Sequence, residues 1–314
     1  MQLNSDIQTD SIYEQFSKER KEQQALGLLP PWYTTGAWQM FKTKYLYGAQ
    51  SYKEQIERIC KTAAKHTDDP EQWEPKFFEL FWKNWLSPST PVLSNMGTDR
   101  GMPVSCSGQF IEDSVAGFYE GLTEAAVLSK HGFGTSAYLG AIRPRGAKVG
   151  TGGKASGILP VLDTFVDMAS KVNQGSRRGA WAGYIPIEHD DFWEVMGYLE
   201  EHPDDVNIGW TISDAFVAKL KAGDEESLRR WQQTLKVKMT FGKGYYHFTD
   251  KVNRNRPAMY KERGFEVHAS NLCDEIQLHS SPKLTYTCVL SSMNVALWDE
   301  WKETDAVFVA TRSE

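Results

Sequence analysis

The sequence predicts an α/β protein preceded by a mainly helical N-terminal domain, and three observations carry that reading. Before about residue 100 the apolar residues recur at helical spacing. Beyond it, short apolar runs alternate with amphipathic segments of roughly 10–15 residues, the pattern of strands joined by helices with much parallel pairing. Between the two regimes stands a helix-breaking run, Ser87-Pro88-Ser89-Thr90-Pro91. The expected domains are therefore 1–100 and 101–314.

The elements follow in order. Residues 1–30 are polar and charged up to Pro30-Pro31. Within 52–85 one helical face gathers Ile56, Ile59, Cys60 and Ala63, and a second gathers Phe77, Phe78, Leu80, Phe81 and Trp85, with charges filling the gaps. Cys60 reads as a core residue on that first face. In the second domain 105–111 reads as a strand, and 115–130 as a helix that Ser114 caps. A strand is expected at 138–142, and a helix after Pro160 through Val161, Leu162 and Phe165. Further strands are expected at 183–187, 206–210, 245–248 and 284–290. Helices are expected at 191–199 and after the N-cap Ser213. Val307-Phe308-Val309-Ala310 opens one more apolar element.

Composition excludes several functions. With 35 Lys+Arg against 41 Asp+Glu the formal charge is −6, so no global basic field draws the chain to nucleic acid. A 40% hydrophobic and 12% aromatic content supplies a sizeable core and excludes wholesale disorder. No apolar run approaches the ~20 residues of a membrane helix, and the polar start lacks the apolar stretch of a signal peptide. A cytoplasmic protein is expected. Its four cysteines, Cys60, Cys106, Cys273 and Cys288, form no C-x-x-C pair. They suit neither a disulfide scaffold nor structural zinc, and no metal is expected on this chain. In a reducing compartment, pairing between them would be transient.

Two segments bear chemistry. In Ala269-Ser270-Asn271-Leu272-Cys273-Asp274-Glu275-Ile276, an extended backbone would set Asn271, Cys273 and Glu275 on one face. An amide, a thiol and a carboxylate would then stand together for nucleophilic, redox or proton-transfer work. A surface turn around a buried cysteine fits the same residues. The second segment, 140–157, has six glycines interleaved with Arg143, Arg145, Lys148 and Lys154. It is not a P-loop, because Lys148 stands where glycine is required and Ala155 where Ser or Thr is. It reads either as a phosphate cradle or as a solvated basic loop.

Over residues 87–294 the sequence resembles the large, catalytic subunit of class I ribonucleotide reductase, especially its bacteriophage forms. The resemblance rests on the N-x-C-x-E run at Asn271, Cys273 and Glu275, on Ser105-Cys106, on Cys288, and on 174–179, Gln-Gly-Ser-Arg-Arg-Gly. It implies the first half of a ten-stranded α/β barrel with a central finger loop. It also implies that Cys273 becomes a thiyl radical and abstracts the 3′ hydrogen of a ribonucleotide. Glu275 would take the 3′-hydroxyl proton and Asn271 would hold the sugar. Cys106 and Cys288 would supply two electrons and close a transient disulfide. Thr90 and Ser105 match positions near the substrate's base and phosphate. A dNTP or ATP effector would be held by Asp113 and Arg143, its identity relayed through Gln174 and Arg178.

The resemblance also implies partners: ribonucleoside diphosphates, a radical-generating small subunit that holds the metal, and a reductant of the thioredoxin or glutaredoxin type. No nucleic acid and no membrane are implied. A vitamin-B12-dependent relative would need no small subunit, but Ser291-Ser292-Met293-Asn294 favours the class that borrows its radical. The regulatory ATP cone has no counterpart in 1–100, and the second half of the barrel has none after 314. The leading expectation is the N-terminal part of a split large subunit, completed by a second polypeptide. The alternatives are a non-catalytic remnant or dNTP-binding regulatory fragment, and a stretch cut from an intact subunit.

Overall fold

The computed structural model describes residues 11–150, 152–174 and 177–313, with backbone alone at 173, 174, 177 and 178. The chain divides into two compact units, Met1–Pro103 with Val289–Glu314, and Val104–Cys288.

The first unit is built by well-capped helices. Ser11 and Glu14 form a reciprocal capping box at the start of α1 (Ile12–Ala25). After α2 (Thr35–Met40), Ser51 Oγ accepts from the Glu54 amide at 3.2 Å and opens α3 (Tyr52–Ala64). Asp69 caps α4 (Pro70–Trp82), with Pro70 in the first turn, where a missing N–H is harmless. Asn84, with φ of 60°, turns the chain out of that helix. β1 (Leu86–Pro88) and α5 (Thr90–Asn95) follow. Ile56, Ile59 and Cys60 of α3 are at most 1% exposed. Cys60 takes its expected place in the core, and burial pushes its thiol well up.

The second unit is a sheet covered on one face by helices. In chain order it runs β2 (Cys106–Phe110), α6 (Val115–Lys130), β3 (Gly134–Tyr138) and α7 (Leu159–Lys171). The short hairpin of β4 (Asn173–Gln174) and β5 (Arg177–Arg178) precedes β6 (Trp181–Pro186), α8 (Phe192–Glu201) and β7 (Ile208–Thr211). α9 (Asp214–Ala222), α10 (Glu225–Phe241), β8 (Tyr245–His247), α11 (Thr249–Asn255) and α12 (Ala258–Glu262) lead to β9 (Tyr286–Cys288). The strand order is β8-β7-β6-β3-β2-β9, parallel throughout except that β9 runs antiparallel to β2. Ile185, Trp210, Phe165, Phe192 and Phe216 join the sheet to the helix layer, each at most 1% exposed. Burial of each such side chain contributes roughly 1.5–3 kcal/mol, so this layer rather than the short strands holds the sheet. Side chains alternate along a strand, so the opposite face receives Cys106, Ser136, Tyr184 and His247. That face carries the site.

Two elements differ from the sequence expectation. The strand expected at 138–142 lies at Gly134–Tyr138, because Thr135 and Ser136 are sheet residues with no exposed surface. Their hydroxyls find backbone acceptors, which lets a polar run enter the interior. After Cys288 the chain joins the first unit, where β10 (Ser291–Met293) pairs antiparallel with β1. α13 (Trp298–Trp301) and α14 (Ala306–Ser313) follow, and Trp301, Val309 and Ala310 enter that unit's core. The apolar element at 307–310 is therefore a helix that packs into the first unit's core. No helix among the described residues is long and apolar enough to cross a membrane.

Candidate active site

The loop 269–276 crosses the open face of the sheet and is tied to it from several strands. Ser136 Oγ on β3 donates to the Ser270 carbonyl at 2.8 Å, and Tyr184 Oη on β6 donates to the Asn271 carbonyl at 2.7 Å. A Cβ at Gly134 would lie 2.8 Å from Leu272 Cδ2, so glycine there lets the loop settle on β3. Ser270 and Asn271 have no exposed surface.

Of the two readings open to the sequence, an extended backbone and a surface turn around a buried cysteine, the segment adopts the turn, but with Cys273 exposed rather than buried. The Asp274 amide donates to the Asn271 carbonyl at 3.2 Å, and Asp274 has φ of 66°. The cause is the Asn271 side chain, whose Oδ1 accepts from the amides of Glu275 at 3.0 Å and Ile276 at 3.2 Å. Such side-chain bonds compete with strand pairing and fold the chain back on itself. The turn still unites the amide and the carboxylate, since Asn271 Nδ2 donates to Glu275 Oε1 at 2.7 Å. Cys273 and Glu275 are exposed at its tip. Partial desolvation, then the charges of Glu275 and of Cys106, push the Cys273 thiol up, so it stays S–H near neutral pH.

Cys106 and Cys288 face each other directly across β2 and β9. Residues so opposed in an antiparallel pair have Cα atoms about 4.5–5.5 Å apart, within the span of a disulfide. Both are thiols here. A hydrogen bond with Cys106, followed by desolvation, pushes the Cys288 thiol far up. Tyr286 lies over Gly108 on the same two strands, with ring atoms 2.1 Å from where a Cβ at 108 would stand. Only glycine leaves room for that ring. Ser105 Oγ is buried and finds no hydrogen-bond partner among the described residues. Thr90 opens α5 in the first unit.

A second site lies between α6, α7 and the glycine-rich segment. Asp113 and Arg143 form an ion pair at 2.5 Å on the wall of a cavity of about 450 Å³, which Tyr119, Phe118 and Lys154 also line. The glycine-rich segment is not a P-loop, and its Lys148 and Lys154 are exposed. It is a hairpin, with the Gly146 amide bound to the Ala155 carbonyl at 2.9 Å and Lys148 bridged to Lys154. Buried Asp191 clamps its base by accepting from the amides of Arg145 at 2.9 Å and Ile158 at 2.8 Å. At Gly157 (φ 80°) a Cβ would lie 2.4 Å from that carboxylate, so the clamp needs glycine. Arg145 turns away to Glu194. The side chains of Gln174 and Arg178 lie outside the described residues. Among the described residues no three His, Cys, Asp or Glu groups gather where they could hold one metal ion.

Sequence reasoning missed Tyr184, Ser136, Ser270, His247, Asp274 and the clamp at Asp191. Tyr184 and Ser136 carry the alternation signal of the open face, but their partner is a loop remote in sequence.

The ribonucleotide reductase barrel-domain model matches residues 104–230 and 226–309, and the all-alpha-domain model matches 32–101. A protein of Frog virus 3 (isolate Goorha), provisionally named a ribonucleoside-diphosphate reductase large subunit, is 28% identical over 267 residues, covering 78% of this chain and 46% of the relative. The vitamin B12-dependent ribonucleoside-diphosphate reductase of Mycobacterium tuberculosis (strain CDC 1551 / Oshkosh) is 28% identical over 83% of this chain and 42% of its own length. The class Id ribonucleotide reductase alpha subunit of Actinobacillus ureae superposes with a TM-score of 0.79 at 35% identity, covering 88% of this chain and 52% of that one. The chain thus spans about half the length of these relatives. With both domain models matched in order and the fold shared, the chain belongs to the ribonucleotide reductase large-subunit family.

Proposed function

We propose that this chain carries the reducing chemistry of a ribonucleoside-diphosphate reductase large subunit. The observation that supports this most is the meeting of Cys106 and Cys288, far apart in sequence, across two strands next to the loop that presents Cys273. In this reading Cys273 loses its thiol hydrogen atom and takes the 3′ hydrogen of a ribonucleoside diphosphate. Its raised pKa favours the S–H form that such a step starts from. Glu275, oriented by the Asn271 amide, takes the 3′-hydroxyl proton. Cys106 and Cys288 give up two electrons and two protons and become a disulfide, while the 2′-hydroxyl leaves as water. Ser105, beside Cys106 at the start of the sheet, contacts the substrate. A radical-generating, metal-containing small subunit supplies the one-electron oxidation that starts the sequence. A reductant of the thioredoxin or glutaredoxin type reopens the disulfide.

The cavity at Asp113 and Arg143 is read as a dNTP or ATP specificity site, with Gln174 and Arg178 as its relay. Its volume, a fork-shaped cation and flanking aromatic residues suit a nucleotide. Asp113→Ala removes both a ribose acceptor and the group that aims Arg143. We expect affinity for dTTP to fall about tenfold by calorimetry, and unchanged affinity rejects the site.

The sheet is read as completed by the remainder of a large subunit, with a second polypeptide as one source of it. The edges of the sheet support the completion, since β8 and β9 stand at its margins among the described strands and offer backbone groups for further pairing. Affinity purification from the native cells, with mass spectrometry of stoichiometric partners, tests it. Recovery with a polypeptide carrying the rest of the barrel supports the completed enzyme. Recovery without one supports the dNTP-binding fragment instead.

A further inference from the structure

The loop that presents Cys273 is held by more than its own turn. Asp274, between Cys273 and Glu275, directs its carboxylate back into the sheet. Its Oδ1 lies 3.3 Å from Tyr184 Oη and 3.3 Å from His247 Nδ1. His247 is 2% exposed, on β8, and Tyr184 has no exposed surface, on β6. The backbone at Asp274 is left-handed, a conformation that glycine adopts most easily and that asparagine and aspartate tolerate. Glycine would therefore satisfy the turn. Aspartate adds a carboxylate that reaches two buried polar groups on two strands.

We propose that Asp274, His247 and Tyr184 form a latch that fixes the loop on the sheet, making Asp274 and His247 positioning residues for Cys273. Tyr184 serves both halves of the latch, donating to the Asn271 carbonyl at one end of the turn and reaching the Asp274 carboxylate at the other. Burial keeps its hydroxyl protonated and available as a donor. The groups that set the Cys273 thiol, Glu275 and Cys106, act on it only while the loop keeps this position. The inference rests on Cys273 being the reacting thiol, but the latch is a property of the loop and is tested without turnover.

The experiment measures the rate of Cys273 alkylation by iodoacetamide against pH, with peptide mass spectrometry to separate it from the other three cysteines. Asp274→Gly keeps the left-handed turn and removes the carboxylate. Asp274→Asn keeps the turn and an acceptor oxygen. With the latch, the glycine variant releases the loop, and the thiol loses the desolvation and the neighbouring charges that hold it up. Its alkylation midpoint then falls by about one pH unit, and the rate below that midpoint rises about tenfold. The asparagine variant stays within about twofold of the parent, and His247→Phe moves the midpoint in the same direction as glycine. Combining Asp274→Gly with His247→Phe adds nothing to the glycine change, because the two residues act through one contact. A glycine variant with the parent's rate and pH profile overturns the latch, since the turn alone would then hold the loop. Failure of the chemical reading shows elsewhere, as turnover by Cys273→Ser.

Discussion

Cys273→Ser is expected to leave no measurable ribonucleotide reduction in the completed enzyme, a loss on the order of 10⁴-fold or more. The reasoning starts from the bond. A thiol gives up its hydrogen atom readily and takes one back, whereas a serine hydroxyl holds its hydrogen too strongly for that exchange. The change is nearly isosteric, and the hydrogen bonds that hold the loop come from Ser136, Tyr184 and Asn271 rather than from Sγ. The variant should therefore fold as the parent does and, on the proposed reading, keep partner assembly and dNTP binding. Measuring deoxynucleotide formation beside the assembly state separates lost chemistry from a lost complex. Turnover by the serine variant refutes the radical assignment.

The second large effect concerns the pair on β2 and β9. In the completed enzyme, supplied with substrate but no external reductant, peptide mapping after one turnover should find Cys106 joined to Cys288 in stoichiometric amount. Cys106→Ser or Cys288→Ser should remove multiple turnover, since a single thiol supplies only one of the two electrons. The pH dependence has a definite sign. The Cys288 thiol is held up by its bond with Cys106 and by desolvation. Disulfide chemistry runs through the thiolate, so reagent-driven closure of this pair should accelerate as pH rises into the alkaline range. Normal multiple turnover by either serine variant removes that residue from the mechanism.

Much of the fold was legible because local signals agreed with it. Ser114 and Ser213 cap the helices they were expected to cap, and Ile56, Ile59 and Cys60 bury the face that their spacing defines. Where the reading failed, distant parts of the chain decide local structure. Thr135 and Ser136 look like loop residues until carbonyls at 180, 107 and 270 accept their hydroxyls. Asn271 and Glu275 meet through a turn that the Asn271 side chain enforces, whereas an extended backbone would have shared a face but held them about 13 Å apart. The glycines at 146 and 157 build a hairpin clamped by Asp191, a residue more than thirty positions away that no motif marked. Asp274 was the least legible of the site residues. Its partners, Tyr184 and His247, lie 90 and 27 positions upstream, and only the assembled sheet brings them within reach.

The cross-strand cysteines have one more consequence. β2 opens the second unit and β9 closes it, so a bond between Cys106 and Cys288 would tie a covalent ring around all five parallel strands and their helices. Restricting the unfolded chain by a ring of that size stabilises the folded state by roughly 5 kcal/mol in the chain-entropy picture. The domain would then be more robust in the spent state than in the reduced one. Each catalytic cycle would alternate between a stapled unit and one held by packing alone, with the reductant acting as the hand that removes the staple.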